Sequence, residues 1–235
     1  MKERGIRKRQ VWWQQALMIC LVLTMGISTS SCAGFLGVGG HSWQEEVLLH
    51  DGRKMVITRS QTYGGRHEIG QPAPIKEHTV TFTLPNTDKA IRWTSDYGED
   101  LGRTNFHLLA VHVLNGTPYL VTEPNLCLSY NKWGRPNPPY VFFTYDGTTW
   151  QRIPLEAFPH EFTTINVALS TIGRKGADLV RQGVVSSEKI KEVNRQTVNP
   201  DHKTILREPV KEERCPQYSS GPKAPTPIYP STPPK

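Results

Sequence analysis

Cysteine is scarce in this sequence, acids are fewer than bases, and no apolar run is long. Four cysteines occur in 235 residues, at Cys20, Cys32, Cys127 and Cys215, and none belongs to a CxxC pair. No GxSxG and no P-loop occurs either, so the usual local signatures of thiol redox, serine hydrolysis and phosphate cradling are missing. No Lys/Arg stripe interleaved with aromatics is present, which argues against nucleic acid as a partner. The longest apolar stretch, ALMICLVLTMGI, covers Ala16 to Ile27. That is well short of the roughly 20 residues that span a bilayer as a helix.

The short apolar stretch has a different use. Lys2, Arg4, Arg7, Lys8 and Arg9 precede it, and the small residues Ser28, Thr29, Ser30 and Ser31 follow it. A basic head, a short apolar core and a small-residue exit make up a secretory signal peptide, here residues 1–31. The alternative, an uncleaved anchor beginning near Val11, would have to bury Gln14 and Gln15.

The stretch ISTSSCAG, ending in Cys32, Ala33 and Gly34, resembles the lipobox of bacterial lipoproteins. Thr29 stands where that motif usually has Leu, while Ser30 and Ser31 fit its small-residue positions. The resemblance implies cleavage before Cys32, acylation of that cysteine and membrane attachment. Ala33, rather than Asp, after the cysteine implies the outer membrane, facing the periplasm. A single acyl chain binds reversibly, and two or more anchor stably. A plain secretory cut with Cys32 free is the alternative.

Without residues 1–31 the chain has 204 residues, with 23 basic against 20 acidic, a net charge of +3. Most of the +7 of the whole chain thus belongs to the export signal. Residues 32–42, with four glycines, read as the lipidated cysteine and a flexible tether. Residues 43–210 read as one β-rich globular domain and 211–235 as a Pro-rich disordered tail. Seven prolines fall among the twenty residues after Cys215, which predicts an extended, mobile segment. If Cys32 carries lipid, Cys127 and Cys215 remain as an even pair in an oxidising compartment, which predicts a disulfide. A buried Cys127 in a strand-like LCLSY, with Cys215 loose in the tail, is the other reading.

Hairpin signals punctuate the domain. Asp51-Gly52, Asn115-Gly116 and Asp146-Gly147 each sit between β-type runs, and each dipeptide suits a type I′ turn. HTVTFTLP and AIRWTSD form a further pair, with Val80, Phe82 and Leu84 sharing one face. TINVALS and KTILRE read as later strands, and Ser186 to Gln196 as a capped helix with Ile190 and Val193 inward. The fold class is mainly β: an antiparallel, hairpin-rich sandwich or barrel-like domain with a small C-terminal helical appendage, and α+β as second choice.

Candidate chemistry is sparse. Arg66, His67 and Glu68 share the Gly-rich loop GGRHEIG, but Gln71 stands where HExxH needs its second His. His107 and His112, five apart in a strand, should face opposite sides and share no metal. Asp96, Glu99, Asp100 and Arg103 lack EF-hand spacing and read as a solvated turn. The loop YNKWGRPNPPY sets Tyr130, Lys132, Trp133, Arg135 and Tyr140 around three prolines. Its aromatics and cations suit stacking on a glycan or a partner peptide. The alternative is that Trp133 closes one end of the core.

HSWQEEVLLHDGR, GGRHEIGQ and YNKWGRPNPPYVFFTYDG resemble segments of uncharacterised lipoproteins of proteobacteria. That resemblance implies location and supplies no catalytic residues. The expected function is therefore a membrane-anchored, non-enzymatic envelope protein that binds another envelope protein or a cell-wall glycan, with no cofactor and no metal. The alternative is a periplasmic hydrolase using Arg66, His67 and Glu68.

Overall fold

Two antiparallel sheets stack through one apolar layer, and the order of their strands follows the hairpins. The computed structural model describes residues 40–169, 181, 183–212, 214–217 and 223–229. The signal segment, Cys32 and most of the tether lie outside the described residues. Gly40, His41 and Ser42, expected in the tether, instead begin the first strand and pair with Thr62, Gln61 and Ser60.

The first sheet contains β1 (Gly40–Leu48), β2 (Lys54–Tyr63), β3 (Ile75–Thr83) and β4 (Ala90–Ser95), paired in sequence order. A two-residue ribbon follows, β5 (Tyr97–Gly98) with β6 (Arg103–Thr104). The second sheet contains β7 (Phe106–Leu114), β8 (Thr117–Pro124), β9 (Val141–Tyr145) and β10 (Trp150–Ile153), again in order. The short β11 (Val184–Val185) adds to the first sheet beside β1, in parallel, which hairpin signals could not announce. The described residues are mainly β with a small helical part, and their sheets form no closed barrel.

Only Asn115-Gly116 has positive φ at both central residues, 50° and 77°, as a type I′ turn needs. At the other two dipeptides only the glycine is left-handed, Gly52 at 83° and Gly147 at 104°. The loop after β9 is instead held by Asp146, whose Oδ1 accepts from Thr148 N (2.8 Å) and Thr149 N (2.7 Å). These bonds to the charged form draw its carboxyl down to about 2.

Val47, Ile57, Val80, Phe82 and Trp93 of the first sheet pack on Phe106, Leu108, Val111, Leu120 and Phe143 of the second. The second sheet is covered on its other face too. Leu109, Tyr119, Val121 and Phe142 lie under Phe158, Phe162 and Ile205. Burial on both faces explains why FHLLAVHVL and VFF read as continuous apolar runs rather than alternating ones.

The covering layer is where two expected strands belong. Thr164 and Thr204 form one isolated bridge; residues 164–169 of TINVALS, and KTILRE, are otherwise irregular cover, not strands. Asn166 holds the first of them down, its Oδ1 accepting from Val111 N (2.9 Å) and its Nδ2 donating to Val111 O (2.7 Å). LCLSY is likewise no strand: α1 (Leu126–Lys132) contains it, with Ser129 buried and donating to Asn105 O (2.6 Å). The expected helix is present as α2 (Ser187–Asn194), capped by Ser186, which accepts from Lys189 N. Its Ile190 packs with Val185, Trp43 and Ala168.

Candidate functional site

The residues singled out from the sequence do not converge in one cleft. Arg66, His67 and Glu68 are all exposed. Nδ1 of His67 meets Gly65 O (2.8 Å), and Glu68 accepts from Gln71 (3.3 Å). His67 and Glu68 therefore spend their side-chain hydrogen bonds within their own loop. Asp100 pairs with Lys132 at 3.1 Å, and Asp96 and Glu99 are exposed.

The loop from Tyr130 to Tyr140 turns its chemistry inward. Trp133 packs on Phe106 and Phe143, and its Nε1 donates to Asn105 Oδ1 (3.1 Å). Tyr140 is buried, and its hydroxyl donates to Asp201 O (2.8 Å). Arg135 lies over Tyr130 and donates to Cys215 O (2.8 Å) and Pro216 O (3.1 Å). Cys127 and Cys215 are joined as a disulfide with Cα atoms 5.4 Å apart. These side chains close the sandwich and fix the C-terminal segment; they do not form an open aromatic platform.

His107 and His112 share one face, against the expectation from their spacing. A bulge at Leu109 shifts the register between Leu108 and Ala110, and one extra residue reverses the alternation. The two rings still have separate partners. His107 Nε2 meets Asn125 Oδ1 (3.0 Å); His112 Nε2 donates to Thr164 O (3.0 Å) and its ring stacks on Phe162.

A different site emerges on the inner face of β2, where alternation places Met55, Ile57, Arg59 and Gln61 inward. Arg59 is buried. Its Nη1 donates to Glu45 Oε1 (2.8 Å) and to Ala168 O (2.8 Å), and its Nε to His78 Nε2 (3.1 Å). Its guanidinium also lies over Trp43. Glu45, fully buried, accepts from Trp43 Nε1 (2.6 Å) and Ala168 N (3.0 Å) as well. Accepting from Arg59 puts the proton of His78 on Nδ1, which is buried and unpartnered. Burial and the adjacent guanidinium hold His78 well below the ordinary histidine range, so it is neutral.

Arg59 and Gln61 form one wall of a cavity of about 230 Å³, with His107, Glu123 and His202 opposite and Ile75, Leu108, Leu109 and Leu169 between them. Glu123 faces His107 across the β7–β8 ladder. His202 comes from the 3-10 turn Pro200–His202 in the cover. Its Nε2 donates to Glu123 Oε2 (2.8 Å) and lies 3.7 Å from Asp201 Oδ2. The Glu123 hydrogen bond raises its pKa, while burial lowers that of His107.

Glu123, Asp201 and His202 place three ligand atoms within 4.8 Å of one another, as a metal site would. Arg214 already supplies the positive charge there. Its Nη1 donates to Glu123 Oε1 (2.9 Å), and its Nη2 pairs with Asp201 Oδ2 (2.5 Å). The trio is an ion-pair cluster beside the disulfide. Among the described residues no serine, threonine or cysteine lines the cavity; its polar groups are Arg59, Gln61, His107, Glu123 and His202, set among apolar walls.

Sequence reasoning passed over this site because Glu123 and His202 lie 79 positions apart. One signal was available: a charged residue, Arg59, at an inward position of a clean period-two strand. No family model, no curated protein and no solved structure matches this chain.

Proposed function

We propose that this chain is an exported, lipid-anchored envelope protein that binds a small neutral sugar or polyol, without catalysis, in the cavity at the β7 edge, between the first sheet and the cover. The observation that supports binding is the convergence of Arg59 and Gln61 from one sheet with His107 and Glu123 from the other. The location rests on the signal-like segment 1–31 and on Cys32, and the expected orientation is the periplasmic side of the outer membrane.

Charge and size narrow the ligand. Arg59 is countered by Glu45, and Glu123 and Asp201 are countered by Arg214, so a bare ion gains little from entering. Hydroxyl groups both donate and accept, and so can use Gln61, His107, Glu123 and His202 together. Ile75, Leu108, Leu109 and Leu169 suit the C–H face of a ring. The cavity is smaller than the roughly 300–1,000 Å³ of drug-sized sites, which points to a single ring.

The reading is tested by ligand-observed NMR on the intact folded chain with neutral sugars and their acidic and amino counterparts. Neutral members should bind in preference. Selection of only the charged members would contradict it.

A further inference from the structure

The outer edge of β10 carries a second surface, independent of the cavity. β10 ends the four-stranded sheet, and an edge strand presents unpaired backbone groups. Here the chain's own residues 223–229, expected to be mobile, run along that edge. Ala224 N donates to Lys132 O (2.9 Å) and Ile228 N to Arg152 O (2.8 Å). Arg152 Nη1 donates to Pro225 O (2.7 Å). The same guanidinium donates from Nη2 to Trp133 O (2.9 Å) and lies 5.4 Å from the centre of the Trp133 ring.

The segment reads Lys-Ala-Pro-Thr-Pro-Ile-Tyr. Pro225 and Pro227 have no N–H, and the two docking donors flank them. Ile228 and Tyr229 are 56% and 69% exposed. Recognition therefore uses backbone groups and the proline-stiffened conformation, with little burial of side chains. That is how grooves that read extended proline-rich peptides work. Any segment with similar proline spacing offers the same groups.

We infer that the β10 edge, with Lys132, Trp133 and Arg152, is a docking groove for extended proline-rich segments of other proteins, occupied in cis by residues 223–229. Five residues separate Gln217 from Lys223, and the disulfide at Cys215 fixes where the segment departs. An occupant on so short a link has an effective concentration on the order of millimolar. A free peptide at micromolar concentration then finds the groove filled.

The test uses the full-length chain and a fluorescent peptide with the sequence of residues 221–235. Ala224→Pro together with Ile228→Pro removes both docking N–H donors while keeping the segment extended. This variant should bind the peptide at least tenfold more tightly than the unaltered chain. Adding Arg152→Ala should abolish the gain. Equal binding by the variant and the unaltered chain would overturn the inference, as would no saturable binding by either. A gain that survives Arg152→Ala would also overturn it, because the peptide would then be held elsewhere.

Discussion

Arg59 Nη1 and Glu45 Oε1 lie 2.8 Å apart, with side chains 4% and 0% exposed. Strands β1 and β2 carry them inward where the apolar layer gives way to Trp43, Gln61 and His78. A buried pair of this kind contributes little net stability, but breaking it leaves one charge stranded.

Glu45→Ala should therefore cost about 3–5 kcal/mol. Glu45→Leu with Arg59→Met should cost clearly less than the sum of the two single changes. Urea denaturation of all variants measures this. Additive losses would show that the pair is not coupled.

Buried histidines set an acid limit. Burial lowers His112 to about 4 from its ordinary 6.5. Between those values the unfolded chain holds the proton and the folded chain does not, so stability falls as pH drops through this window. The loss from His112 alone is roughly 3 kcal/mol at the bottom of the window, and neutral His78 acts in the same direction. His112→Phe should keep the stack on Phe162 and flatten the profile of melting temperature between pH 6.5 and 4. An unchanged slope would assign acid sensitivity elsewhere.

The bridge between Cys127 and Cys215 spans 88 positions. On the chain-entropy model it contributes roughly 4.6 kcal/mol. Cys127→Ser should lower stability by an amount of this order and, because Arg135 and Arg214 flank the same segment, should leave the β-rich circular dichroism intact. Loss of less than about 1 kcal/mol would mean that the denatured chain gains little from its release.

How much could be read in advance depended on whether the cause was local. Asn115-Gly116 turns because its own two residues accept positive φ, and Ser186 caps its helix three residues on; both were legible. Leu126 and Leu128 alternate like a strand, yet they sit exposed on α1, where the chain leaving β8 turns. The pattern alone could not show that. The bulge at Leu109 has no sequence marker, and it moved His112 onto the face of His107. The segments around Ile165 and Ile205 look like strands because the outer face of the second sheet needs apolar cover, not because it needs another strand. Trp133 and Tyr140 have the composition of an interface, but β7 and the cover claim them. The cavity depends on six separate stretches meeting, and only Arg59 hinted at it.

Attachment is open to a direct test. Cys32→Ala should move the protein from the membrane fraction to the soluble one or stall its processing, because the residue proposed to carry the lipid is gone. A variant still membrane-bound at normal size would remove the lipid anchor from the account.

The central claim is that the cavity at the β7 edge, and not the 130–140 loop, holds a small neutral ligand. Protein-observed NMR of the isotope-labelled chain, titrated with the best-binding neutral sugar, tests it most directly. The account predicts saturable shifts at Gln61, His107 and His202, abolished by Gln61→Met at unchanged melting temperature. Shifts confined to Tyr130, Trp133 and Arg135, with the cavity signals unmoved, would contradict it.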